Sequence, residues 1–160
     1  MRGSLWPADR GPRGGPPSRG TVRLVSTLRR RAPLGLAAAF LASSLVHLVR
    51  PQVFTPIMPR VIPEQHHTNL IYVSGLAELA CAAGLVRHTR WAPFASVGVL
   101  AAVFPANVQM ALDAGTGRHA GAADSRAVAW GRLPLQFVMA WAALQGRRQT
   151  GPVAPAQAAR

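Results

Sequence analysis

Lysine is absent from this 160-residue chain, only five residues are acidic, and there is one cysteine and one tyrosine. Each shortage excludes something. A single cysteine, Cys81, leaves no internal disulfide, no CxxC redox pair and no cysteine-based zinc site. Charged residues are 14% of the chain, against about 25% in soluble domains, while apolar residues reach 49% and mean hydropathy is positive. That deficit of charge points to a membrane. No Gly-rich phosphate loop and no nucleophile motif is present, and no complete catalytic constellation, so a stand-alone enzyme is not expected. The length allows one domain.

What charge there is consists of eighteen arginines, giving a net charge of +13, and it is unevenly placed. Between residues 33 and 112 only Arg50, Arg60, Glu64, Glu78, Arg87 and Arg90 are charged. Four apolar stretches result: 33–49, 69–86, 91–112 and 127–146. A bilayer core of about 30 Å takes about 20 helical residues, and all four stretches are near that length. A soluble helical bundle would need a polar stripe on every helix, and the first and third stretches have none. The expected fold is therefore an all-α integral membrane four-helix bundle over 32–147. Short tails flank it: a disordered, Arg-rich segment at 1–31 and a disordered end at 148–160.

The N-terminal tail carries eight arginines separated by many Gly and Pro, a composition that buries too little apolar surface to fold. A signal peptide is the competing reading, with Arg29-Arg30-Arg31 resembling a twin-arginine signal. No clear A-x-A cleavage site follows, however, and the apolar stretch runs on to Val49. An uncleaved first helix is the better expectation, its tail solvated and a candidate for contact with anionic headgroups. Trp6 is the only aromatic residue in the tail, so no nucleic-acid partner is expected. With the N-terminus inside, thirteen arginines fall on the inner side and four on the outer. By the positive-inside rule the chain is expected in the inner (plasma) membrane, multi-pass, with both termini cytoplasmic.

The first outer loop, 50–68, holds Pro51, Pro56, Pro59 and Pro63, a spacing that forbids regular helix. It also holds Val53, Phe54, Ile57, Met58, Val61 and Ile62. Such a loop is expected to lie on the outer face of the bundle or fold back into it.

Ionisable residues inside a span are costly and usually face the bundle interior. Glu78 lies in the second stretch, flanked one turn away by Ser74, Gly75, Cys81 and Ala82, a small face suited to close helix packing. Arg132 and Gln136 share a face of the fourth. In the third, Pro105 frees the carbonyl of Ala101, and in the fourth Pro134 frees that of Trp130, so each needs a polar partner. At 1.5 Å per residue, Glu78 lies about 13 Å below the outer end of its helix, Arg132 and Asn107 about 8 Å, and His47 about 3 Å; Tyr72 is at a similar level. His47, Tyr72, Glu78, Asn107, Arg132 and Gln136 thus form one candidate intramembrane polar cluster. Glu78 and Arg132, the only opposite charges within the spans, are the expected pair. Two readings of the cluster stay open: a structural set fixing helix register, or a small pocket for a quinone, another small molecule or a proton.

Other chemistry is less supported. A b-type haem needs two axial ligands at matching depth, and only His47 is near a helix interior. His66-His67 with His47 lacks a clearly placed carboxylate or thiolate, so no metal is expected.

Several strings resemble the DoxX-like membrane proteins: His47 followed by Pro51, Phe54 and Ile57-Met58-Pro59; Tyr72-Val73-Ser74-Gly75-Leu76-Ala77-Glu78; Val103-Phe104-Pro105-Ala106-Asn107-Val108-Gln109-Met110-Ala111; and Arg132-Leu133-Pro134-Leu135-Gln136. The resemblance runs from about Leu36 to Gly146. Arg60 stands where many relatives have a second proline, so this loop is expected to pack in its own way. The resemblance implies a four-helix integral membrane fold, mostly bacterial, and an association with membrane redox systems, the family name coming from a subunit of a thiosulfate:quinone oxidoreductase. Two function classes follow. One is an accessory subunit or partner of a membrane quinone or thiol redox system, with a quinone as candidate ligand and a membrane-associated oxidoreductase as candidate partner. The other is a non-enzymatic scaffold or small-molecule or proton conduit, with a homo-oligomer as candidate assembly.

Overall fold

The structure, a computed structural model, describes residues 19–118 and 124–149. Four long helices account for most of it: α1 (Arg19–Val49), α2 (His67–Val86), α3 (Ala92–Asp113) and α4 (Arg126–Gln145), with no strand among the described residues. The all-α four-helix expectation holds, and each helix is long and apolar enough to cross a membrane. Boundaries of α2, α3 and α4 fall within two residues of the apolar stretches, because the charges and turn residues that end those stretches also end the helices.

The first helix is the exception. It begins at Arg19, so 19–31, expected as unfolded tail, is helical. The Gly and Pro that justified the expectation stop at Gly20; residues 21–31 contain neither and are rich in Leu and Arg, both good helix formers. Extending a helix that already exists costs far less than nucleating one. Residues 1–18 and 150–160 lie outside the described residues, while Arg148 and Gln149 close a final 3₁₀ turn, Gly146–Gln149.

In sequence order the helices pack as a ring, α1 on α2, α2 on α3, α3 on α4 and α4 back on α1, which leaves α2 and α4 diagonally opposed. Close approach comes from small residues. A Cβ added to Gly75 would lie 2.7 Å from the Cβ of His47, so α1 and α2 meet there at glycine distance. The short α2–α3 turn is closed by His88 at φ 54°. Its left-handed backbone turns the amides of His88 and Thr89 onto the carbonyls of Leu85 (3.2 Å) and Gly84 (2.9 Å), the bonding pattern that satisfies the last carbonyls of a helix. Pro93 follows at the start of α3, where its missing N–H costs nothing.

Two apolar clusters hold the ends of the bundle. Leu36, Phe40, Cys81, Leu85 and Leu100 pack with several alanines toward the end that carries the arginines. Met110, Ala111, Ala114 and Ala129 pack between α3 and α4 at the other end. On the outside, Leu41, Leu76, Phe94, Phe137 and Val138 are more than half exposed. In water this surface would drive aggregation; against lipid tails it is solvated, and the helices satisfy their own backbone polar groups.

Candidate functional site

Between the two clusters lies a cavity of about 560 Å³ walled by all four helices and roofed by the first loop. The roof is built from two single 3₁₀ turns, Pro51–Val53 and Thr55–Ile57, the local structure that closely spaced prolines permit. Phe54, Ile57, Met58, Pro59 and Ile62 face down into the cavity. The loop therefore folds back onto the bundle, as its apolar content requires.

Five of the six candidate residues line this cavity: His47, Glu78, Asn107, Arg132 and Gln136. Tyr72 does not. It is exposed on the outside of α2, because axial depth says nothing of azimuth. Six residues before Glu78, it points about 120° away around a helix of 3.6 residues per turn.

Pairing differs from expectation. The partner of Glu78 is His47, with Nδ1 3.5 Å from Oε2 and both side chains more than nine-tenths buried. Among the described residues no ion pair joins Glu78 to Arg132. The reason is topological. Arg132 is on the diagonal helix, across the cavity, whereas Gly75 draws α1 against α2 and sets His47 one turn from the carboxylate. Arg132 instead directs Nη1 at the thioether of Met110, 3.4 Å away, a weak acceptor. Phe54 stacks on His47, ring centroids 3.7 Å apart, and fixes the imidazole from above.

Gln136 donates its amide to the carbonyl of Leu100, 3.1 Å away. The need for a polar partner near Pro105 was legible, but the carbonyl served is one residue before the one that Pro105 frees. His67 is taken up by the Ile62 carbonyl, 2.9 Å away, and His66 by Gln65, 3.3 Å away. Neither joins His47, and no group of three His, Cys, Asp or Glu among the described residues is arranged to hold a metal.

Four polar atoms on the cavity wall have no hydrogen-bond partner in the protein: His47 Nδ1, Ser74 Oγ, Glu78 Oε2 and Gln136 Oε1. The His–Glu contact is thus close enough for an ion pair without hydrogen-bond alignment. Two of the four face each other in that contact, while Ser74 Oγ and Gln136 Oε1 have no partner; a buried polar group left unpaired costs about 1–3 kcal/mol, so the site suits a polar guest. Ser43, Asn107 and Arg132 add further polar groups to the lining, and the rest of the wall is apolar. Leu70, Val73, Ala102 and Leu135 both line the cavity and are exposed on the bundle exterior, so the wall is one side chain thick toward the surrounding medium.

The chain belongs to the DUF8561 family. The family model, described as a domain of unknown function, matches residues 36–147. No curated protein and no solved structure matches the chain. The DUF8561 segment contains every residue that lines the cavity.

A feature of this DUF8561 domain that sequence reasoning missed is the latch on the roof. Arg60 donates to Asp113 Oδ1 at 2.7 Å, and Gln109 donates to Oδ2 at 2.9 Å. Arg118 stands 3.9 Å from the same carboxylate. The spacing of Gln109 and Asp113, one helical turn apart at the end of α3, was the available signal; Arg60 in place of proline was the other. Since the Arg60 side chain is 60% exposed, its contribution is that of a partly screened pair, about 1 kcal/mol. Replacing Arg60 with Ala should therefore speed amide exchange at Phe54, Ile57 and Ile62 about fivefold. Exchange unchanged at those three amides would show that the latch does not hold the roof.

Proposed function

We propose that the protein is a membrane-embedded binding protein for a quinone-type amphiphile, acting as an accessory subunit of a membrane redox system. The observation that carries this reading is a roofed cavity whose lining brings His47, Ser74, Glu78, Asn107, Arg132 and Gln136 together, with Ser74 Oγ and Gln136 Oε1 unpartnered in the protein. A quinone headgroup presents two carbonyl acceptors on a flat apolar ring, and its reduced form presents two hydroxyl donors. Ser74, Asn107 and Arg132 supply donors; Glu78 and the Gln136 carbonyl supply acceptors. The volume, about 560 Å³, falls in the usual range for small-molecule sites, about 300–1,000 Å³. The thin lateral wall suits a ligand that arrives from the bilayer. The resemblance of His47, Tyr72–Glu78, Val103–Ala111 and Arg132–Gln136 to DoxX-like proteins supports a redox setting, and electrons would come from a membrane-associated oxidoreductase partner.

A conduit through the bundle is less well supported. Beyond the cavity the bundle is packed by Leu36, Ala82, Leu85 and Ala143, none of which can relay a proton.

Sidedness is part of the same proposal. The arginine bias favours the roofed end outside the cell membrane and both termini in the cytoplasm. Reporter fusions in the α3–α4 loop and after Arg148 test it: the loop fusion is expected to report outside and the C-terminal fusion inside, and the reverse pattern would refute the orientation.

The ligand test uses purified protein and decylubiquinone. Thermal stability in detergent should rise on addition of the quinone, and the rise should vanish in the double variant His47→Leu with Glu78→Leu, which replaces the pair by apolar side chains and so remains foldable. An equal rise in wild type and double variant, or none in either, would overturn the quinone reading.

A further inference from the structure

At the opposite end of the bundle, outside the cavity and largely outside the family-matched segment, a second concavity of about 910 Å³ runs between the extension of α1 and the last turn of the chain. Arg29, Arg30 and Arg148 line it, together with His88 and Gln145. The groove is built rather than incidental. Gln149 donates to the Arg30 carbonyl at 3.0 Å and ties the final 3₁₀ turn to α1. Gly146 sits so close that an added Cβ would meet Pro93 at 3.2 Å and Leu85 at 3.6 Å.

Its charge is of one sign. Among the described residues no acidic residue lies at this end, and no carboxylate is within ion-pair distance of Arg29, Arg30 or Arg148. A second, independent observation points to a ligand. Gln145 is 8% exposed, and its Oε1 has no hydrogen-bond partner in the protein, its Nε2 being used on the Trp141 carbonyl at 3.3 Å. An unpartnered acceptor on a residue that lines a cationic groove suits a ligand that carries negative charge and also donates a hydrogen bond.

The apolar surroundings narrow the class. Leu34 forms part of the groove wall, and Leu34, Leu41 and Leu45 are all exposed. Spaced by seven and four residues, they form one stripe along α1, leading from the groove down the outside of the bundle. The arginines immediately precede the 18 apolar-span residues 32–49, about 27 Å of helix, which sets them at headgroup level when that span crosses a bilayer.

We propose that this groove is a binding site for an anionic phospholipid with a hydroxyl-bearing headgroup, such as phosphatidylglycerol. The phosphate lies against Arg29, Arg30 and Arg148, a headgroup hydroxyl donates to Gln145 Oε1, and an acyl chain follows the leucine stripe. The proposal rests on the membrane setting but not on the quinone site.

Native mass spectrometry of the full chain, titrated in detergent with dioleoyl phosphatidylglycerol, phosphatidylmethanol or phosphatidylcholine, tests it. Phosphatidylglycerol should be retained over phosphatidylcholine. The triple variant Arg29→Gln, Arg30→Gln, Arg148→Gln should weaken retention about a hundredfold, each arginine near a membrane surface contributing about fivefold. The matched triple Arg2→Gln, Arg10→Gln, Arg13→Gln should retain the lipid, and so should His47→Leu with Glu78→Leu, which separates this site from the cavity. Gln145→Leu should weaken phosphatidylglycerol more than phosphatidylmethanol, an anionic phosphodiester with no hydroxyl, whose unchanged retention reports intact folding. Inorganic phosphate at millimolar concentration should not displace the lipid. Equal loss in the two arginine triples, equal retention of phosphatidylcholine, or displacement by inorganic phosphate would each overturn the proposal.

Discussion

A carboxylate placed within an apolar helix has to find its partner among neighbouring helices, because lipid offers none. Glu78 imposes that constraint, and much of the roofed half of the bundle follows from meeting it. The partner, His47, is on α1, so α1 and α2 must approach closely at that level. Gly75 makes the approach geometrically available, with His47 Cβ only 2.7 Å from where its own Cβ would stand. Phe54 then covers the imidazole from the loop side. The loop that carries Phe54 is held down in turn by Arg60 on Asp113. Removing any link would expose or unpair a group further along this chain of contacts.

The same bundle is dry at one level and polar at another. Alanine and glycine at the helix contacts allow the two apolar clusters to pack tightly. Between them, larger polar side chains project from four helices into a common space and keep it open. Apolar packing is concentrated in the clusters and polar side chains in the gap. The arginine end adds a third environment, set at the boundary between span and solvent, where charge of one sign meets an apolar stripe.

How much of this was legible depended on which coordinate was being read. Position along a helix axis follows from counting residues, so the four spans and the common depth of His47, Glu78, Asn107, Arg132 and Gln136 were accessible from the sequence. Direction around the axis follows from packing. Tyr72 was misjudged for that reason, and Glu78 was assigned to Arg132 when the ring order of helices favours α1. The segment 19–31 was misjudged because its composition was averaged with the Gly- and Pro-rich residues before it. Asp113 was overlooked because it lies at a helix end, where a charge needs no explanation until Arg60 is found against it. The groove at Gln145 requires the α1 extension, and so was not visible at all without it.

The pairing of Glu78 with His47 is the contact on which the account depends, and solid-state NMR in lipid bilayers measures it directly. With the Glu78 carboxyl carbon labelled by ¹³C and either the His47 imidazole or the Arg132 guanidinium labelled by ¹⁵N, dipolar dephasing reports which nitrogen is near. Strong dephasing from His47 and little from Arg132 is expected. Strong dephasing from Arg132 with none from His47 would contradict it.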